Sequence, residues 1–385
     1  MNRVVLFNPS LPDGGGFCAE ECCFGPARTP PFNSPLGGLY SALYGSKDYI
    51  PTYAYSITEI QNPPHAIVMP LIIGYETYLS GLAKQLKFKF PSTRLIALCT
   101  PQGLAHTTSY ANCWDDVVGE NPIPTIVSMF DLVGDIKREY FPEIRYQALP
   151  QRPFIPWLLI ASGCGSKCHY CTWGGKPMKW RDFRNTIHSI ETMYQSGSWV
   201  VRCPLYLVCS EMNGFPKWME EFVKAKEHSS IATIPIITDI RADWLTEKQV
   251  ELLKRLQCVE VIAALESPNP NVLASIERKM DIQKFLDGYE MLREAGIKVN
   301  CPVLFGLHPE EDEKEYAEFC LKNKVVPNAG IAKAYPGTVL WKRVVEAGVW
   351  DEIREWPYPA DPLRAPIGAE AAKVRLARFN KLVRQ

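Results

Sequence analysis

The feature that most limits what this chain can fold into is a repeating order, in which strand-like apolar runs alternate with stretches whose apolar residues recur at helical spacing. In the first part the runs are RVVLFNPS, YIPTYAYS, HAIVMPLII and TRLIALCTP, with the helical stretch YETYLSGLAKQLKFKF between the third and fourth. Strands joined through helices run parallel, because a parallel neighbour can be reached only over a long crossover. The first part therefore predicts a doubly wound parallel sheet, whose ligands sit at the carboxyl ends of its strands. Those ends read NPS, MPL and CTPQG. A proline-containing stretch, PEIRYQALPQRP, then interrupts the order and marks a domain boundary. Beyond it come FIPWLLIAS, CPLYLVCS, TIPIITDI, VEVIAALES, IKVNCPVLFGL and NAGIAKAYP. Most of these are followed by an amphipathic stretch such as DFRNTIHSIETMYQSG or IQKFLDGYEMLREAG. Such a series predicts a partial (β/α)6 barrel, since a full eight-unit barrel needs more chain. The expected organisation is α/β throughout: residues 1–142 as the doubly wound domain, 143–348 as the partial barrel and 349–385 as a helical tail.

Directly after the first barrel strand stands GCGSKCHYC, which places Cys164, Cys168 and Cys171 within one loop. Active sites of such barrels gather where the strands end, so this is the position for chemistry. The chain has 385 residues and 13 cysteines, and it begins with MNRVVLFNPS, which lacks the apolar core and cleavage site of a signal peptide. A cytoplasmic location is expected, and there thiols stay reduced, so the cysteines do not read as a disulfide framework. The best apolar run, AIVMPLIIGYETYLSGLA, carries Glu76, so no membrane span is expected. Lys and Arg total 42 and Asp and Glu total 42, a balance that advertises no nucleic-acid partner. Three chemistries use closely spaced thiols. Structural zinc needs four ligands, and the fourth would have to come from Cys203, Cys209 or His169. A redox pair would use Cys168 and Cys171 and leave Cys164 idle. A four-iron cubane held by three cysteines keeps its fourth iron open to a ligand.

The loop CGSKCHYC resembles the C-x-x-x-C-x-x-C loop of the radical S-adenosylmethionine superfamily, including the aromatic Tyr170 before the last cysteine. The resemblance implies that Cys164, Cys168 and Cys171 hold a [4Fe-4S] cluster whose open iron is chelated by S-adenosylmethionine, and that one electron releases a deoxyadenosyl radical. The other barrel motifs agree with it. LVCSE is similar to the segment that receives the methionine amino group, which implies Ser210 and Glu211. Arg241, in TDIRADWLT, matches an arginine near the carboxylate. AALES resembles the family's GIES and implies Glu266 and Ser267 near the ribose. LFGLHPEE resembles the GLPGET loop, with His308 and Pro309 where proline and glycine are usual, and YPGT (Tyr335 to Thr338) resembles the turn after the last strand. No side chain is assigned to catalysis beyond these cofactor contacts. Each has a plainer reading: Glu211 as a helix cap, Arg241 as an ion-pair partner, His169 as an ordinary loop histidine, and Cys203, Cys209, Cys258, Cys301 and Cys320 as small core residues.

In the first domain, NSPLGGLYSALYG and DDVVGENPIPTIVSMF resemble segments of the cobalamin-binding domains that some radical enzymes carry. This implies cobalamin at the strand ends, near Pro70, Leu71, Thr100 and Gly103. The Asp-x-His-x-x-Gly motif that supplies a histidine below cobalt is absent after the first strand, which reads FNPSLPDGGG. With cobalamin the resemblance implies a methyltransferase acting on an unactivated carbon. Rearrangement, cyclisation or oxidation, with the first domain binding cobalamin for another role or not at all, is the alternative, and a non-catalytic metal-binding protein is a remoter one. A methylthio-transferring tRNA enzyme is disfavoured by the short tail. Expected partners are a small-molecule substrate and a one-electron reductant of flavodoxin or ferredoxin type. GGGFCAEECCFG, with Cys18, Cys22 and Cys23, reads as a loop shaping the cavity.

Overall fold

The computed structural model describes residues 2–7, 43, 48–54, 56–71, 76–99, 113–118, 156–171, 173–195, 204–309, 311–332, 338–346 and 369–384. The chain divides into two compact units, the first built chiefly from the residues up to Pro156 and the second from those after it. The expected boundary at 142/143 lies outside the described residues.

The first unit holds β1 (Asn2–Phe7), β2 (Tyr49–Ala54), β3 (Ala66–Leu71), β4 (Arg94–Cys99) and β5 (Asp116–Val118), in the order β2-β1-β3-β4-β5. Every pairing is parallel. Ile67, Val68 and Met69 are all fully buried, as befits a central strand covered on both faces. One cover is α1 (Glu76–Lys89), which lays Leu79, Ala83 and Leu86 into the core with Phe7, Ile67 and Leu95. Burying the two leucines contributes roughly 1.5–3 kcal/mol each. In this strand order the topological switch lies between β1 and β3, and the carboxyl ends there are the place for a ligand.

The second unit is a six-stranded parallel sheet: β6 (Trp157–Leu159), β9 (Leu205–Val208), β10 (Ile236–Asp239), β11 (Cys258–Ile262), β12 (Lys298–Phe305) and β13 (Pro327–Ile331), neighbours in that order. The partial barrel expected from the sequence is thus present. The run read as one strand, FIPWLLIAS, divides. After Ile160 the chain leaves the sheet, and β7 (Ala161–Cys164) pairs antiparallel with β8 (Lys176–Trp180).

The crossovers are α2 (Phe183–Gln195), α3 (Pro216–Glu227), α4 (Glu247–Arg255), the short α5 (Pro270–Ser275), α6 (Ile282–Glu294) and α7 (Glu313–Lys322), with α8 (Val339–Glu346) and α9 (Ala369–Val383) after β13. Their starts are written in the sequence. Thr246 and Gln249 form a capping box on α4, and Asp281 and Asp312 cap α6 and α7. Gly288 lets α6 approach the turn after Arg241, since a Cβ there would stand 2.9 Å from the Ala242 carbonyl carbon and closer to its oxygen. Cys209, Cys258, Cys301 and Cys320 are buried free thiols within this unit. No helix among the described residues is long and apolar enough to cross a membrane.

Candidate active site at the cysteine loop

Gly163 sets the entry to the site. Its φ is +84°, a conformation that side chains disfavour, and a Cβ there would stand 2.8 Å from the Pro177 carbonyl carbon and closer to its oxygen. The residue that bends β7 against β8 therefore also fixes where Cys164 begins. The loop then closes on itself through Gly175 N–H to Ser166 O (2.7 Å) and Cys171 N–H to Cys168 O (3.1 Å).

Cys164 and Cys168 are buried, Cys171 is half-buried, and all three are free thiols. The Ser166 N–H donates to Cys164 Sγ at 3.4 Å, and the Cys164 thiol faces both carboxylate oxygens of Glu211 at 3.4 and 3.6 Å. Burial pushes the Cys164 thiol up, with Glu211 adding to it, and burial pushes Cys171 up to about 12. Such thiols stay protonated until a cation takes them, and the thiolate is the metal-binding form. Among the described residues no three His, Cys, Asp or Glu side chains converge on a single-ion site. A cubane asks for something else, one thiol per iron, and backbone donors to sulfur of the kind Ser166 supplies suit it. The donor set fits a four-iron cluster.

The loop is bolted on its outer side. His169 N–H donates to Ile276 O at 2.9 Å and Leu340 N–H donates to His169 O at 2.9 Å. The ring adds Nδ1 at 3.0 Å from Arg343 Nη2 and 3.1 Å from Ser275 O, and Nε2 at 3.4 Å from Glu277 Oε1. His169, a plain loop histidine by sequence, pins the cysteine loop to the end of α5 and to α8.

On the inner side Tyr170 donates its hydroxyl to Glu266 Oε1 at 2.7 Å. Glu266 sits just beyond β11 at φ +64°, held by Leu304 N–H donating to its carbonyl at 2.8 Å. Its second oxygen, Oε2, is buried and has no hydrogen-bond partner among the described residues. Burial raises the Glu266 carboxyl, opposed by Arg278 and by the Tyr170 hydroxyl. Arg278 is also the cation of the site: its Nη2 donates to Ala264 O at 3.0 Å and its Nη1 stands 4.0 Å from Cys168 Sγ. Burial works against that charge, while Tyr170, Glu266 and Cys168 outweigh it and leave the guanidinium above its ordinary value. Sequence reasoning missed Arg278. In SIERKM no spacing or motif marks it.

The other expected residues fall as follows. The Ser210 hydroxyl donates to Gly163 O at 2.9 Å, which joins the end of β9 to the bend. Arg241 is nearly buried, bidentate to Asp243 at 2.7 and 2.6 Å, and reaches Ser166 Oγ at 3.3 Å from Nη1. It is an ion-pair partner and a contact of the cysteine loop together. Ser267 lies in the core, its hydroxyl 2.5 Å from that of Tyr316. Cys164, Ser166, Tyr170, Ser210, Glu211, Arg241 and Glu266 are thus brought to one end of the barrel, while the Ser267 hydroxyl meets Tyr316 and accepts from Asn269 N–H at 3.0 Å. Pro70 and Leu71 end β3 opposite Leu98 and Cys99 in the first unit. Their side chains, Thr100 and Gly103, Cys18, Cys22 and Cys23, Cys203, and Tyr335 to Gly337 of the YPGT turn lie outside the described residues. The strand order of the first sheet, with its switch beside Leu71, suits a corrinoid in kind.

Residues 158–320 match the family model described as the radical SAM superfamily. A curated protein of Methanocaldococcus jannaschii named as a methylthiotransferase is 22% identical over 162 residues, which is 40% of this chain and 35% of that protein. The chain thus spans about a third of that relative. Among solved structures, the radical S-adenosylmethionine methyltransferase TsrM from Kitasatospora setae, with cobalamin and a [4Fe-4S] cluster bound, superposes with a TM-score of 0.65 at 13% identity, covering 90% of this chain and 78% of that one. The cobalamin-dependent radical enzyme OxsB, with aqua-cobalamin and S-adenosylmethionine bound, gives 0.64 at 11% identity, covering 99% of this chain and 66% of that one. At such identities the likeness is one of fold.

Proposed function

We propose, from the match of residues 158–320 to the radical SAM superfamily model, that the protein is a cobalamin-dependent radical methyltransferase acting on an unactivated carbon of a small molecule. When bound, the cluster supplies the electron that opens the sulfonium, S-adenosylmethionine the deoxyadenosyl radical, and cobalamin the methyl group. Cys164, Cys168 and Cys171 would hold three irons, with Arg278 beside Cys168 offsetting the charge of the thiolates. The Glu211 carboxylate now accepts from the Cys164 thiol. Once Cys164 is a thiolate that proton is gone, and Glu211 needs a new donor. The methionine ammonium is one, with Ser210 alongside. Arg241 steadies the loop through Ser166 and lies on the side proposed for the methionine carboxylate. Glu266 keeps one oxygen on Tyr170 and offers the unpartnered Oε2 to a ribose hydroxyl. Pro70, Leu71, Thr100 and Gly103 are the proposed cobalamin-side positions, and the electron is proposed to come from a flavodoxin or ferredoxin.

The observation that carries this reading is the joining of the three-thiol loop, through Glu211 and Arg278, to carboxylates at the ends of neighbouring parallel strands. Anaerobic reconstitution should give a brown protein with one four-iron cluster that makes deoxyadenosine. Replacing all three cysteines by alanine should abolish both. A full cluster in the triple variant would refute the ligand assignment.

A further inference from the structure

The loop that follows β12 has a backbone whose polar groups are taken up from two sides. The Glu311 carboxylate folds back under it and accepts from the N–H groups of Gly306 (2.7 Å), Leu307 (2.7 Å) and His308 (3.0 Å). Its side chain is fully buried. The carbonyls of the same loop turn the other way, toward α9. There Arg375 donates from Nη2 to Pro309 O at 2.8 Å and from Nη1 to His308 O at 3.4 Å, and Nη1 stands 3.7 Å from Glu311 Oε2. One guanidinium therefore satisfies the outward carbonyls and lies against the buried carboxylate that gathers the inward N–H groups. Burial raises the Glu311 carboxyl, and Arg375 is the cation that opposes this. The attachment has an apolar root: Phe379, fully buried, packs on Phe305 at the end of β12 with ring centroids 5.2 Å apart. Phe305 in turn meets Tyr316, which holds Ser267 next to Glu266.

We infer that Arg375, on the last helix, is a positioning residue for S-adenosylmethionine, fixing the loop after β12 in the shape that receives the nucleoside. This rests on the radical reading above, in which Glu266 is offered to the ribose: the loop leaves the strand whose Leu304 N–H donates to the Glu266 carbonyl at 2.8 Å, so it begins beside that carboxylate. Glu311 holds the N–H side of this loop and the bidentate clamp from α9 holds its carbonyl side, so its backbone is fixed from both directions. Arg378, one turn further along, pairs with Glu313 at 3.2 Å in an exposed position and touches no loop carbonyl, which makes it an internal control.

The test uses the full chain with its cluster reconstituted, in three forms: wild type, Arg375→Gln and Arg378→Gln. Equilibrium dialysis with labelled S-adenosylmethionine gives Kd, iron analysis gives cluster content, and deoxyadenosine formation against S-adenosylmethionine concentration separates KM from kcat. Arg375→Gln is expected to weaken binding about ten-fold or more, the scale of losing hydrogen bonds from a charged group. Its iron content and kcat at saturating S-adenosylmethionine should stay at the wild-type values, and Arg375→Lys should recover part of the affinity. Arg378→Gln should match wild type. A smaller loss in Arg375→Gln, or an equal loss in Arg378→Gln, overturns the inference while leaving the radical reading intact. Wild-type protein that carries its cluster but binds no S-adenosylmethionine overturns both. If Arg375→Gln does not fold, the dialysis is read on Arg375→Lys alone, and affinity equal to wild type there overturns the inference.

Discussion

Replacing Gly163 by alanine should unfasten the cysteine loop, and the size of the effect follows from two features of the backbone. At φ +84° an alanine pays for the left-handed conformation with about 1–2 kcal/mol. Its Cβ also lands on the Pro177 carbonyl, which belongs to β8 and cannot rotate away, so the two strands must part; forced packing of this kind costs about 1–3 kcal/mol. Together these give about 3 kcal/mol, or roughly 6–12 °C in melting temperature for a domain of this size. Strand separation also moves the Gly163 carbonyl off Ser210 and shifts Cys164. Gly165, two residues along in the same loop, is the comparison, because a Cβ there meets nothing within 4 Å. Scanning calorimetry of the apoprotein and iron content after reconstitution should show Gly163→Ala melting early and retaining little iron, with Gly165→Ala near wild type. A Gly163→Ala protein with a full cluster and an unshifted melting temperature would refute the reasoning, as would equal damage at Gly165.

Removing the Tyr170 hydroxyl with Tyr170→Phe should leave the buried Glu266 carboxylate with no bond on either oxygen, costing about 1–3 kcal/mol in urea unfolding; an unchanged midpoint would contradict the contact. Lys226, buried on α3 with its ammonium on Ala232 O at 2.8 Å, is lowered by burial from 10.5 to about 8. Between those values the unfolded chain binds the extra proton, so stability should be lost as pH falls from 10.5 through about 8, by on the order of 3 kcal/mol, and Lys226→Met should flatten that slope. Protein from cobalamin-supplied cells should carry near-stoichiometric corrinoid, read by absorbance and mass; absence of corrinoid would defeat the methyltransferase reading.

What the sequence made visible was whatever repeats or is closely spaced. The parallel strands show as apolar runs such as AIVMPL, the helices between them as stretches with apolar residues at helical spacing, and the three cysteines as a single loop. The β7–β8 hairpin did not show. KPMKW has neither the alternation nor the β-branched residues of a strand, and it pairs because Gly163 turns β7 toward it. Arg278 was hidden for a different reason: its meaning is its distance to Cys168 and Glu266, which local pattern does not encode. The partner of Ser267 was equally hidden: its hydroxyl lies 2.5 Å from that of Tyr316, 49 residues further along the chain.

Glu266 has a consequence for anyone trying to harden this protein. A carboxylate residue at φ +64° sits where glycine or asparagine would rest more easily, by roughly 1–2 kcal/mol, and its Oε2 is buried and unpaired as well. A library screened only for survival after heating should therefore favour Gly or Asn at 266 only in clones that also change Tyr170 and Arg278, which would otherwise lose a buried partner. Heat tolerance and the ribose contact proposed for Glu266 would then be set against each other across these three residues together.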